Sequence, residues 1–394
     1  MSAATPQTTP APLLPDYGGA CLSSLVPALL SVTNGRDPHG EPAPGWLPAA
    51  ARQARQIVLL VIDGLGWEQL TIHQASVPRL ASADGIDRPI TSVAPTTTAC
   101  ALTSIVTGRT PAEHGLVGYR LGAPDDEIMN ILKWTLGTGT GRDARQLVLA
   151  NQFQPFGPFP GSSHPIPVVS KNEFAGTGFT AAHLGDSPLH GYKVPSSIDV
   201  EVGALLAAGE PFVYAYYDGV DKIAHEHGLG EHYRSELATV DFLVDRLVAA
   251  LPAGAALVVT ADHGQIDVGP NVEVIGQELM AGIRYFSGEG RFRWLHTRPG
   301  ATDDVMAAAT ERYRESTWVV TRDQAVDEGW FGGPLRSGVT ERLGDVALVP
   351  HAPIAFLDPA DTGETSLQAR HGSLTPAEML VPLLALSGDG SIGG

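Results

Sequence analysis

The sequence predicts an α/β fold with a mainly parallel central sheet flanked by helices, and three observations predict it. Short, continuous, apolar runs rich in β-formers recur at 57–62 (IVLLVI), 212–217 (FVYAYY), 256–260 (ALVVT) and 346–350 (VALVP). Such runs are the signature of strands buried on both faces. Stretches of helical character separate them, an alternation that builds parallel sheets. The polar ends of these units carry Asp, His or Thr, and open α/β sheets place their chemistry at the carboxyl ends of the strands.

Composition sets the outer limits. The chain has 394 residues, 43% hydrophobic and 17% charged, which is a globular balance. It reads as one large domain over 1–394, with a Pro/Thr/Ala-rich loose arm at 1–16 and an inserted α+β subdomain at 271–345. The net charge of −18 excludes a nucleic-acid polymer bound over a broad face. It leaves room for a small phosphorylated substrate where bound cations offset the repulsion. Two cysteines, Cys21 and Cys100, make no disulfide framework. The N-terminal stretch has neither a basic region nor a long apolar run, so no signal peptide, no membrane partner and a cytoplasmic location are expected.

In chain order, CLSSLVPALLS at 21–31 reads as a short helix broken near Pro27, followed by a Gly/Pro-rich polar segment through Trp46. The strand at 57–62 ends in Asp63-Gly64-Leu65-Gly66, ahead of the helical stretch WEQLTIHQA. Residues 91–119 bring Pro95, then Thr96-Thr97-Thr98, then an Ala/Leu/Ile/Val run. This reads as a loop feeding a buried helix whose first turn presents free N–H groups and a hydroxyl. Cys100 lies in that run as a core thiol. Residues 120–180 have weak periodicity, and the Pro/Gly/Phe-rich run at 152–167 is a long ordered loop or part of a lid. After a helical stretch at 199–208, the strand at 212–217 leads directly into Asp218, Asp221, His225 and His227. Asp221 and His225 are spaced i, i+4, which puts both on one helix face at metal-ligand spacing, and Asp218 could share that face. An amphipathic helix at 232–251 follows. The strand at 256–260 ends in Asp262-His263-Gly264. Near the C-terminus His371-Gly372 precedes a helix start at Thr375-Pro376 and a buried Val-Pro-Leu-Leu run.

The simplest assembly brings Asp63, Thr98, Asp221, His225, Asp262, His263 and His371 to one sheet edge. Three carboxylates and three imidazoles are too many ionisable groups to bury without cations, and two divalent ions solve that. Mixed His/Asp donors favour zinc, with manganese or iron as alternatives. Two such ions clamp both oxygens of a displacement at phosphorus.

In this order the motifs VIDGLG, PTTTACALTSIVTG, D-x-x-x-H-x-x-G from Asp221, TADHG and RHGS resemble those of the alkaline phosphatase superfamily. The likeness is to its type I phosphodiesterase/nucleotide pyrophosphatase family, over about residues 55–120, 210–265 and 368–384. The resemblance implies an alkaline-phosphatase-like core and a nucleophilic Thr98. It also implies one ion on Asp63, Thr98, Asp262 and His263, and a second on Asp221, His225 and His371. The substrate implied is a phosphodiester or a nucleotide pyrophosphate, cleaved through a phospho-threonine. The family's usual Phe-Pro-Asn after the nucleophile is replaced by Ala99-Cys100-Ala101, so backbone N–H groups, Lys222 or Tyr119 must stand in for the Asn. Val220 stands where the family often has Pro. Thr96 and Thr97 remain alternative hydroxyls.

Other readings keep the fold and change the substrate: a phosphomonoesterase, a phosphonate hydrolase or a phosphomutase. A non-catalytic metal-binding interaction module is a further alternative. A sulfatase lacks support, because Cys100 is followed by Ala-Leu-Thr rather than x-Pro-x-Arg. The 271–345 segment is read as a lid, a homodimer contact or both.

Overall fold

The computed structural model describes residues 10–33, 43–361 and 366–388. Part of the proposed N-terminal arm (1–9) and most of the polar segment before Trp46 (34–42) lie outside the described residues.

The main strands are β1 (Gln56–Ile62), β2 (Val168–Lys171), β3 (Leu189–Tyr192), β4 (Phe212–Tyr217), β5 (Ala255–Thr260), β6 (Ile283–Glu289), β7 (Phe292–Thr297), β8 (Thr317–Thr321), β9 (Val346–Pro350) and β10 (Leu383–Ser387). The central sheet has the order β10-β5-β1-β4-β2-β3. Every pairing in it is parallel except β10 on β5, so the sheet is mixed but mostly parallel. β1 sits at its middle with all but its first residue buried. That is the environment a continuous Ile/Val/Leu run requires, since neither face meets water. The principal helices are α1 (Leu22–Thr33), α2 (Thr98–Thr107), α3 (Ile198–Ala207), α4 (Gly219–His227) and α5 (Glu231–Ala249).

Four readings need correction. The run at 346–350 is a buried strand, but it belongs to a second, antiparallel sheet of order β6-β7-β9-β8 with its own small core around Leu295, Val305, Tyr313, Val346 and Phe356. An apolar run records burial, not the identity of its neighbours. The central sheet instead gains β2, β3 and β10. The helix after Thr375 is a single turn (Pro376–Met379), because the chain must extend to pair β10 with β5. α1 runs through Pro27 unbroken. Its ring lies where any Cβ on Gly108, the left-handed cap of α2, would collide, so close packing of α1 on α2 offsets the missing N–H. Within the proposed loose arm, residues 10–16 are tied down: Leu13 N–H donates to the Leu374 carbonyl at 2.9 Å and the Trp318 indole donates to the Pro10 carbonyl at 2.6 Å.

The 152–167 loop is ordered against the core rather than over the site: Phe159 is buried, its ring 5.9 Å from that of Tyr214 and its N–H donating to the Val106 carbonyl. Cys21 and Cys100 are both free and buried. No described helix is long and apolar enough to cross a membrane.

Candidate metal centre and active site

β1, β4 and β5 are neighbours and run in one direction, with Ile62 opposite Tyr217 and Val61 opposite Thr260. Their carboxyl ends therefore deliver Asp63, the start of α4, and Asp262-His263 to the same edge. The turns there are tight. Gly64 has φ +75°, and a Cβ on it would lie 2.2 Å from the Gln265 amide nitrogen and 3.1 Å from Asp221 Cα. A Cβ on Gly264 would strike the Ala377 carbonyl at 2.1 Å. Glycine at these two places lets the three strand ends converge.

α4 places Asp221 and His225 one turn apart, with His225 Nε2 3.3 Å from Asp221 Oδ1. His371 arrives from the distant loop before Thr375, its Nε2 3.8 Å from the same oxygen. Thr98 is the first residue of α2, and its Oγ1 stands 3.3 Å from His263 Nε2. That nitrogen is also 3.5 Å from Asp63 Oδ1 and 3.4 Å from Asp262 Oδ2. All seven residues singled out in the sequence thus meet at one place.

The donor atoms gather into two overlapping sets. Ligand atoms of Asp63, Asp262 and His263 all lie within 4.8 Å of one another, as do those of Asp221, His263 and His371. The three histidines share one tautomeric arrangement. Nδ1–H donates to a main-chain carbonyl in each: Ala369 for His225 at 2.7 Å, Thr96 for His371 at 2.8 Å, and Gly264 for His263 at 3.1 Å. This leaves every Nε2 lone pair facing the site, the usual way a protein prepares imidazole for a metal.

The residues fit divalent cations on physical grounds. Asp63 and Asp262 are buried, and Asp63 Oδ1 and Asp262 Oδ2 have no hydrogen-bond partner among the described residues. No described Lys or Arg pairs with Asp63, Asp221 or Asp262. Burial pushes the Asp63 carboxyl well above the usual carboxylate range. Asp262 and Asp221 push it further, against the opposing Tyr216 hydroxyl. Burial likewise raises Asp262, offset in part by His263. Burial, then His263 and His225, holds His371 well below an ordinary imidazole. A cluster so costly to ionise is what a bound cation relieves.

The open choices narrow. Asp218 belongs to neither donor set: its carboxylate is clamped by Lys171 at 2.6 Å and Lys222 at 2.7 Å. Lys222 is thereby committed, and the Tyr119 hydroxyl accepts from Asn130 at 2.8 Å. Thr96 Oγ1 donates to the Ser373 carbonyl and accepts from Gly372 N–H, so it is a strut for the His371 loop. Thr97 caps α2 without a side-chain capping bond.

Two supporting residues escaped sequence reading. The Tyr216 hydroxyl donates to Asp63 Oδ2, and the Gln265 amide donates to Asp221 Oδ1 at 3.0 Å. Tyr216 lies in FVYAYY, where period-2 alternation sends it to the same face of the sheet as Tyr214; that was the available signal.

The family model for type I phosphodiesterase / nucleotide pyrophosphatase matches residues 57–374. The chain belongs to that family. Among solved structures, murine ectonucleotide pyrophosphatase / phosphodiesterase 5 is similar at 18% identity and TM-score 0.58, covering 84% of this chain and 88% of that one. The inactive murine protein in complex with AMP is similar at 17% identity, and the human protein at 16%, with the same coverage and TM-score. These likenesses establish an alkaline-phosphatase-like fold. A direct comparison with curated protein sequences gives no match.

Proposed function

We propose that the protein is a two-metal hydrolase of phosphodiesters or nucleotide pyrophosphates that acts through a phospho-Thr98 intermediate. One ion is assigned to Asp63, Thr98, Asp262 and His263, the other to Asp221, His225 and His371. Zinc suits the mixed carboxylate and imidazole donors. When bound, such ions neutralise charge developing on the phosphoryl oxygens and increase the acidity of attached hydroxyls.

The observation that carries the reading is the position of the Thr98 hydroxyl, the one of the three Thr side chains hydrogen-bonded to His263, which is the residue common to both donor sets. Its oxygen gives up its proton to solvent and forms a bond to phosphorus while the bond to the leaving group breaks, the departing alkoxide or phosphate taking up a proton from solvent. Water then attacks the same phosphorus, releasing a phosphomonoester and restoring the threonine. α2 begins at Thr98, so N–H groups of its first turn lack intrahelical partners and would take the role that the family's Asn side chain would fill at Ala101. The AMP complex of the murine relative supports a nucleotide as one substrate candidate.

Thr98→Ala tests this with bis(p-nitrophenyl) phosphate and elemental analysis together. Two ions per chain should persist while turnover falls by about three orders of magnitude or more. Retained turnover with both ions bound overturns the nucleophile assignment.

A further inference from the structure

The second sheet reaches the metal centre from behind. β6 and β7 are joined by Gly290-Arg291, and this hairpin tip lies against the loop that carries His371. The two segments meet residue by residue. Glu289 Oε2 is 4.0 Å from His371 Nδ1, and a Cβ on Gly372 would sit 3.0 Å from Glu289 Cγ. A Cβ on Gly290 would sit 3.1 Å from a guanidinium nitrogen of Arg370.

Arg291 fixes the junction. It is fully buried, and each of its five N–H groups has an acceptor. Three donate to the carbonyls of Pro350, Ala352 and Ile354, at the end of β9 and just beyond it, at 2.6–3.1 Å. Two grip both carboxylate oxygens of Glu378, at 2.8 and 2.7 Å. The same carboxylate accepts from the Ser373 N–H at 2.9 Å and from the Thr375 hydroxyl at 2.6 Å. The Ser373 hydroxyl donates to the Pro350 carbonyl at 2.6 Å. The His371 loop is therefore held from two sides, by Thr96 and by the second sheet.

A buried ion pair is often no more stable than well-packed apolar residues of the same size, so its retention asks for another reason. Here the reason lies in which ligands it reaches. Asp63, Asp262 and His263 follow β1 and β5, and Asp221 and His225 stand on α4, all in the main body. Only His371 is carried by a loop bound to the second sheet.

We infer that Arg291 and Glu378 are positioning residues for one ion of the two: the second sheet holds His371 where it shares a cation with Asp221 and His225, and the ion on Asp63, Asp262 and His263 binds without that support. This rests on the two-ion reading above. It gives the inserted sheet a task other than that of a lid or a subunit contact.

The test is Arg291→Lys, which keeps the charge but not the fork that holds both oxygens and three carbonyls. Chelator-stripped protein is titrated with zinc against a chromophoric competitor. The parent should bind two ions. The variant should bind one at the parent's affinity and the other about ten- to a hundredfold more weakly, the usual loss when the support of a ligand is removed. In His371→Ala, which keeps only the first ion, adding Arg291→Lys should change nothing further. Thr375→Val removes a single hydrogen bond to Glu378 and should weaken the same ion to a smaller extent; it decides the matter if stripped Arg291→Lys shows no cooperative thermal unfolding. A lowered thermal midpoint with both affinities unchanged would make the pair merely structural and overturn the inference. So would equal weakening of both ions, because the pair would then act through the Glu378 main chain, whose carbonyl accepts from the Gly264 N–H at 2.8 Å. Either result leaves the proposed function standing, whereas a parent that binds fewer than two ions overturns both.

Discussion

Replacing Tyr216 with Phe removes one hydroxyl and no volume, and it isolates what supports Asp63. The hydroxyl donates to Asp63 Oδ2, while the other carboxylate oxygen, Oδ1, faces the donor set with no partner. A hydrogen bond to a charged acceptor is worth about 1.5–3 kcal/mol and one to a neutral acceptor about 0.5–1.5 kcal/mol. The difference, roughly 1–1.5 kcal/mol, is what an incoming cation gains from finding the carboxylate ionised. At 1.4 kcal/mol per decade this predicts about tenfold weaker ion binding in Tyr216→Phe. The assay is a zinc titration of chelator-stripped protein against a chromophoric competitor at fixed pH, with thermal unfolding of the stripped protein as the control for folding. An affinity within twofold of the parent would mean that Tyr216 only packs against its neighbours, and the argument for its support of Asp63 would fail.

Three other expectations rest on the same structure. Asp218→Asn should keep two ions per chain by elemental analysis, because its carboxylate is held by Lys171 and Lys222; loss of an ion would make it a ligand. Arg291 and Glu378 are fully buried and paired at 2.7 Å, so Arg291→Leu should cost about 3–5 kcal/mol in urea unfolding by stranding the carboxylate. The double variant Arg291→Leu/Glu378→Leu should recover part of that loss, and an unperturbed single variant would show the pair to be dispensable. Finally, burial lowers His114 and His296 to about 3 and His183 to about 4, against 6.5 when unfolded. The unfolded chain then binds more protons below pH 6.5, so stability is complete above that pH and lost as pH falls. At pH 5 each contributes a loss of about 2 kcal/mol, read as a urea midpoint that drops less between pH 7 and 5 in His183→Gln than in the parent, a difference in which the opposite contribution of the raised Asp63 and Asp262 carboxyls cancels. Equal drops in parent and variant would refute it.

The site was more legible than the framework around it. Asp63 and Asp262-His263 follow continuous apolar runs, and Asp221 and His225 carry a helical spacing, so local pattern alone put them at the ends of elements. His371 and Thr98 required the order of motifs along the chain. What pattern could not supply was partnership. β2 and β3 are only four residues each, too short to show a period, and β9 reads like any central strand although it lies in the second sheet. Asp218 has the spacing of a ligand, and only the fold brings Lys171 to it, from a separate strand. Tyr216 looked like a strand aromatic because it is one; its hydroxyl acquires meaning from Asp63, far away in sequence.

The hydrogen bonds between Thr96 and the His371 loop join residues 275 to 277 positions apart. That separation bears on when the centre can exist during synthesis. A nascent chain that has reached α5 already contains Asp63, Thr98, Asp221 and His225, but not the His371 loop that packs against Thr96. β5 likewise waits for β10, more than a hundred residues later, to cover its open edge. Contacts of such high order form late and slowly. The seven-residue cluster is thus complete only in a nearly finished polypeptide.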